Sequence, residues 1–205
     1  MFWYHDDVAR LENEINNLEY TPKMVFYGSS TFTLWNNLTT IFKDHNAINL
    51  GFGGSTLAAC TWYFDKVFKN LEDIDSIVIY AGDNDLGDGR HPEEVYLFLE
   101  NLIAKIRNKY GNIKCSVISI KPSIARFHLL SSIRYTNTII KNLTAKDDHL
   151  FFIDIYDKFL DQNGNPDAIY FESDGLHFNE LGYELIVNTL NSNSEIFPEK
   201  ILEKI

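Results

Sequence analysis

The chain has 205 residues, enough for one domain whose core needs no disulfide or metal staple, and its 45% hydrophobic and 23% charged residues show no sign of disorder. Lys and Arg number 18 against 29 Asp and Glu, and the resulting net charge of −11 argues against nucleic acid or an anionic membrane surface as a partner. No stretch approaches the ~18 consecutive apolar residues of a membrane span, and Met1-Phe2-Trp3-Tyr4-His5-Asp6-Asp7 lacks the basic and apolar segments of a secretory leader, so a cytoplasmic protein is expected.

Val8, Leu11, Ile15 and Leu18 recur at helical spacing until Thr21-Pro22, which predicts an amphipathic helix at the start. Five short apolar runs follow, at Met24 to Tyr27, Ala47 to Leu50, Ser76 to Tyr80, Cys115 to Ile120 and Leu150 to Ile155. They are continuously apolar rather than alternating, the pattern of strands buried on both faces of a parallel sheet. A helix is predicted at Pro92 to Tyr110, with its stripe at Val95, Leu99, Leu102, Ile103 and Ile106, and another from about Asn179 to Leu190. The β-α-β-α alternation, without repeat or linker, implies a single α/β domain over residues 1–205, a five-stranded parallel sheet in three α/β/α layers. Cys60 and Cys115 sit in such segments without CxxC or metal-ligand spacing, and are expected to be buried free thiols.

Ligands of such sheets bind beyond the carboxyl ends of the strands. After the first run comes Gly28-Ser29-Ser30-Thr31, which could cap a helix or present a serine nucleophile at its positive N-terminus. After the second comes Gly51-Phe52-Gly53-Gly54-Ser55-Thr56, whose glycines expose N–H donors. Thr56 stands where a dinucleotide-binding G-x-G-x-x-G needs its last glycine, and the run follows the wrong strand. After the third comes Ala81-Gly82-Asp83-Asn84-Asp85, either an ordinary polar turn or a source of an amide for an oxyanion. Near the last helix Asp174-Gly175-Leu176-His177 can bring a carboxylate to an imidazole, as a catalytic triad requires.

In order and spacing these four segments resemble the blocks of the GDSL/SGNH hydrolases. The resemblance implies the flavodoxin-like SGNH fold and places the nucleophile at Ser30, the second-block glycine at Gly54, the amide at Asn84 and the closing Asp-x-x-His at Asp174 and His177. The family's Gly-Asp-Ser reads Gly28-Ser29-Ser30 here, which makes Ser29 a rival nucleophile, although register favours Ser30. His177 would then take the serine proton, Asp174 would orient the ring, and the Ser30 and Gly54 N–H groups with the Asn84 amide would hold the oxyanion.

His5, His45, His91, His128 and His149 have no comparable company and are expected in surface or packing roles. Calcium-loop spacing beginning at Asp161 and at Asp83 fails at the sixth place, where Pro166 and Asp88 stand instead of Gly. No metal or cofactor is expected. The resemblance implies a small-molecule ester as substrate, with short acyl groups, acetyl included, suited to small loops without a lid. Trp62, Tyr63, Phe127 and Tyr170 are candidates for the cleft and equally for the core. O-acyl transfer, lysophospholipase activity and a catalytically silent binding module remain the alternatives, and the sequence leaves the oligomeric state open.

Overall fold

The structure is a computed structural model that describes residues 1–198, so the end of the expected 1–205 domain lies outside the described residues. Each apolar run forms a strand: β1 Met24–Gly28, β2 Ala47–Gly51, β3 Ser76–Tyr80, β4 Lys114–Ile118 and β5 Leu150–Ile153. All neighbours pair in parallel, in the order β2-β1-β3-β4-β5. This is the flavodoxin-like order, and the expected three-layer α/β architecture is what the chain adopts.

The helices are α1 His5–Asn16, α2 Ser30–Thr33, α3 Leu38–Ile41, α4 Leu57–Val67, α5 Asp83–Gly87, α6 Pro92–Tyr110, α7 Leu130–Thr144 and α8 Glu180–Asn191. Side chains alternate across a strand, so the sheet divides the apolar residues into two cores. Val25, Tyr27, Ile77, Ile79, Cys115 and Val117 pack beneath α1, α4, α6 and α7. Met24, Phe26, Val78, Tyr80, Ile118 and Ile153 face the opposite way, against Phe32, Leu38, Ile186 and Leu190 from α2, α3 and α8. Phe26 is wholly buried, with its ring 5.4 Å from Phe32 and 5.0 Å from Phe42, and such burial contributes roughly 1.5–3 kcal/mol per side chain. Cys60 and Cys115 are free and buried, and burial pushes the Cys115 thiol up to about 12.

Several ends differ from the sequence expectation. β4 and β5 each stop two residues early because side chains take over the backbone there: Asn137 Oδ1 accepts the Ile120 N–H at 2.8 Å beyond β4, and Ser119 Oγ accepts that of Ile155 at 2.9 Å beyond β5. α1 ends at Asn16 rather than near Thr21, where the Asn17 side-chain amide donates to the Asn13 carbonyl at 2.8 Å and competes with the helical pattern. Asn179 precedes α8 as its cap, accepting the Gly182 N–H at 3.1 Å.

Candidate active site

The register aligns Gly28 of β1 with Gly51 of β2 and Tyr80 of β3, so the segments after these strands emerge side by side at one edge of the sheet. This is also the topological switch point, where connections leave β1 and β3 in opposite directions and open a crevice. A side chain at Gly28 would put its Cβ 2.0 Å from the Tyr80 carbonyl oxygen, so glycine alone permits this approach.

Ser30 opens α2, where N–H groups have no partner within the helix. Its Oγ lies 3.1 Å from His177 Nε2, across 147 residues of sequence, and His177 Nδ1 lies 2.6 Å from Asp174 Oδ2. Asp174 Oδ1 accepts the backbone N–H groups of Leu176 at 2.8 Å and His177 at 3.0 Å. The His177 and Leu176 amides hold the carboxyl down at about 2, with the imidazole assisting, so it stays charged beside the ring. A hydroxyl, an imidazole and a fixed carboxylate in this chain can move a proton off the hydroxyl while compensating the imidazolium that forms. Ser29 lies elsewhere: it is 3% exposed, and its N–H donates to the Tyr80 carbonyl at 2.9 Å. Although it occupies the cap position of α2, its side chain makes no capping bond.

Asn84 Nδ2 donates to the Ser55 carbonyl at 3.0 Å, which joins the segments after β2 and β3. An amide nitrogen carries two hydrogens, so one bond fixes the group and leaves a second donor. Gly54 has φ of +67°, its carbonyl accepts the Tyr4 hydroxyl at 2.9 Å, and no atom obstructs the space where a side chain would stand. Ser55 Oγ ties this loop to the Gly28 carbonyl at 3.0 Å.

The roles of the buried charged residues Asp83, Asp85 and Lys121 escape the sequence reading. Asp85, wholly buried, accepts the N–H groups of Leu57 at 2.7 Å and Ala58 at 3.3 Å, and so holds the first turn of α4 against the Asn84 loop. Burial pushes its carboxyl up to about 6 against the pull of those amides. Lys121, 2% exposed, pairs with Asp83 at 3.0 Å. Their signals were present, in an acid immediately after Asn84 and a lysine at the end of an apolar run, but the partners lie 28 and 38 residues away.

A cavity of about 840 Å³ reaches His177 from between the α2–α3 segment and α8. Leu34, Trp35, Ile41, Tyr183 and Val187 form its apolar wall, and Glu172, Glu180 and Glu184 its polar rim. None of the four aromatics weighed between cleft and core lines it. Tyr63 is buried with its hydroxyl on the Met1 carbonyl, Tyr170 packs on Phe159 at 5.2 Å, and Trp62 and Phe127 are exposed elsewhere. The sequence attached no chemistry to the segment at Leu34 and Trp35, so nothing marked them as a wall. The segment at Asp161 with partial calcium-loop spacing is a turn in which Oδ1 accepts the N–H groups of Asn163 and Asn165 at 2.8 and 2.9 Å.

Among curated proteins the chain resembles the N-acylneuraminate cytidylyltransferase of Escherichia coli O18:K1:H7, with 24% identity over 91% of this chain. It spans only 44% of that protein's length. Among solved structures a GDSL-like lipase of Bacteroides thetaiotaomicron superposes with a TM-score of 0.75 at 20% identity, covering 92% of this chain and 97% of the other. A mutant acetyl esterase with an acetate ion gives 0.67 at 14%, covering 85% and 96%. At these identities the two structures bear on the fold. A family model of the GDSL-like Lipase/Acylhydrolase family matches residues 25–185, the stretch from β1 into α8 that carries every loop of the site, and the chain belongs to that family.

Proposed function

We propose that the chain is a serine ester hydrolase that cleaves short-chain acyl esters, acetyl esters among them, through an acyl-enzyme on Ser30. The observation that carries this reading is the unbroken chain from Ser30 Oγ to His177 Nε2 at 3.1 Å and from His177 Nδ1 to Asp174 Oδ2 at 2.6 Å. His177 takes the serine proton as Oγ attacks the acyl carbonyl, and returns it to the leaving alcohol as the tetrahedral intermediate collapses. Asp174 fixes the tautomer and balances the imidazolium. The oxyanion is met by the N–H groups of Ser30 and Gly54 and by the Asn84 amide. Water then repeats the attack and frees the acid.

The cavity borders His177 and not Ser30, Gly54 or Asn84, so it suits the alcohol half of the ester, the half that His177 must protonate. The same cavity could seat an acceptor alcohol in place of water, which keeps O-acyl transfer as the second reading; a product that forms only with added alcohol would identify it. The primary test is turnover of 4-nitrophenyl esters of increasing acyl length by wild type, Ser30→Ala and Ser29→Ala. Activity that declines with chain length and disappears only in Ser30→Ala is expected. Activity retained by Ser30→Ala overturns the assignment.

A further inference from the structure

Beneath the site lies a buried cation that the ester chemistry does not use. Lys121 follows β4, and its Nζ donates to Asp83 Oδ2 at 3.0 Å and to the Tyr80 hydroxyl at 3.2 Å. The same nitrogen stands 5.4 Å from the centroid of the Phe178 ring, within cation–π range. Each contact adjoins a different part of the site. Asp83 precedes Asn84, Phe178 follows His177, and the Tyr80 carbonyl receives the N–H of Ser29, the neighbour of Ser30. Burial alone would lower the ammonium's pKa, but the Asp83 carboxylate and Tyr80 oxygen outweigh it and raise it, so the lysine stays charged.

A purely structural account fits poorly. A buried ion pair is often matched or exceeded in stability by apolar residues of similar volume, because desolvating two charges offsets their attraction. Asp83 Oδ1 also faces Arg126 Nε at 3.7 Å, so one buried carboxylate stands between two cations. What an ammonium offers that a methionine does not is direction, because its hydrogens hold the carboxylate and the phenol at fixed places. The segment after Lys121 makes a further tie to the histidine loop, through the Ala125 N–H on the Gly175 carbonyl at 3.0 Å.

We propose that Lys121 is a positioning residue for ester hydrolysis, holding Asn84 through Asp83, His177 through Phe178 and the Ser30 turn through Tyr80 in one fixed arrangement. The proposal rests on the hydrolase reading above. Misplacement by about 1 Å at a reacting centre costs on the order of 10²-fold in rate, and the loss falls on kcat when the interaction matters mainly in the transition state.

The test compares kcat, KM and thermal midpoint on 4-nitrophenyl acetate for wild type, Lys121→Met, and Lys121→Met combined with Asp83→Asn. Lys121→Met leaves the buried Asp83 carboxylate with only the longer contact to Arg126 at 3.7 Å, and is expected to lower the midpoint by roughly 10 °C. The double variant removes both charges and is expected to regain most of that midpoint while kcat stays down by ~10-fold or more, with KM within ~2-fold of wild type. Recovery of kcat together with the midpoint overturns the proposal, since the pair is then only structural. Tyr80→Phe keeps the pair and the volume but removes one acceptor, and provides the measurement should the double variant fail to fold. A several-fold fall in kcat at unchanged KM is expected of it, and an unchanged kcat overturns the proposal. A wild type inactive on every ester overturns the hydrolase reading and this inference with it; an active wild type with equally active variants overturns this inference alone.

Discussion

Asn84 is the residue whose proposed role separates most cleanly from stability. Its side chain is only partly buried and, among the described residues, makes one hydrogen bond, to the Ser55 carbonyl. Asn84→Ala is therefore expected to cost about 2.7–4 kcal/mol of transition-state stabilisation, read as a fall in kcat, while circular dichroism and the melting midpoint stay close to wild type. Asp174 yields a prediction in pH. Its carboxyl is held at about 2, below the unfolded value of about 3.9, so its contribution to stability is complete above the unfolded value and fades as pH falls toward 2. Denaturant unfolding at about pH 5 and about pH 2.5, roughly the two ends of that window, should show a smaller loss for Asp174→Asn than for wild type. Ser30, Asn84, Asp174 and His177 could be singled out as candidates in the sequence because each is a chemically able side chain in a turn beyond a strand or beside a helix start, and because their order resembles the GDSL/SGNH blocks. Asp85 and Lys121 could not, because a carboxylate or ammonium acquires its role only when folding removes its water and supplies a distant partner.

At the level of elements, the junction of β1 and β3 is the least tolerant part of the sheet. Gly28→Ala would drive a methyl into the Tyr80 backbone, where no flexible side chain can yield, and is expected to destabilise the fold by more than about 3 kcal/mol in equilibrium unfolding. The joint between α4 and α5 carries a pH dependence of opposite sign to that of Asp174. The Asp85 carboxyl is pushed up to about 6, above its unfolded value of about 3.9, so in that window the folded state binds more protons and stability falls as pH rises. Asp85→Asn should abolish that slope, and a slope unchanged in the variant would assign it to another group. Strand existence was legible because double-sided burial demands continuous apolar runs. Strand ends were not, since the Asn137 and Ser119 side chains, distant in sequence, take the N–H groups of Ile120 and Ile155 just beyond β4 and β5.

Across the whole molecule the charge of −11 governs long-range encounters. Sedimentation with anionic phosphatidylserine vesicles, and mobility shift with duplex DNA, are expected to show no binding at about 0.15 M salt, where fields reach only about 8 Å. Among the described residues no helix is long and apolar enough to cross a membrane. The alternation of strands and helices, the two-sided burial of the sheet and the chemically able residues beyond its strands are written in the chain itself, because these depend on periodicity and turn chemistry within a few residues. Tertiary structure alone decided the order β2-β1-β3-β4-β5, the placement of Ser30 rather than Ser29 at 3.1 Å from His177, the cavity wall at Leu34 and Trp35, and the pairing of Lys121 with Asp83. Each of these depends on which distant surfaces exclude water together, and local sequence carries no record of that choice until the chain has packed.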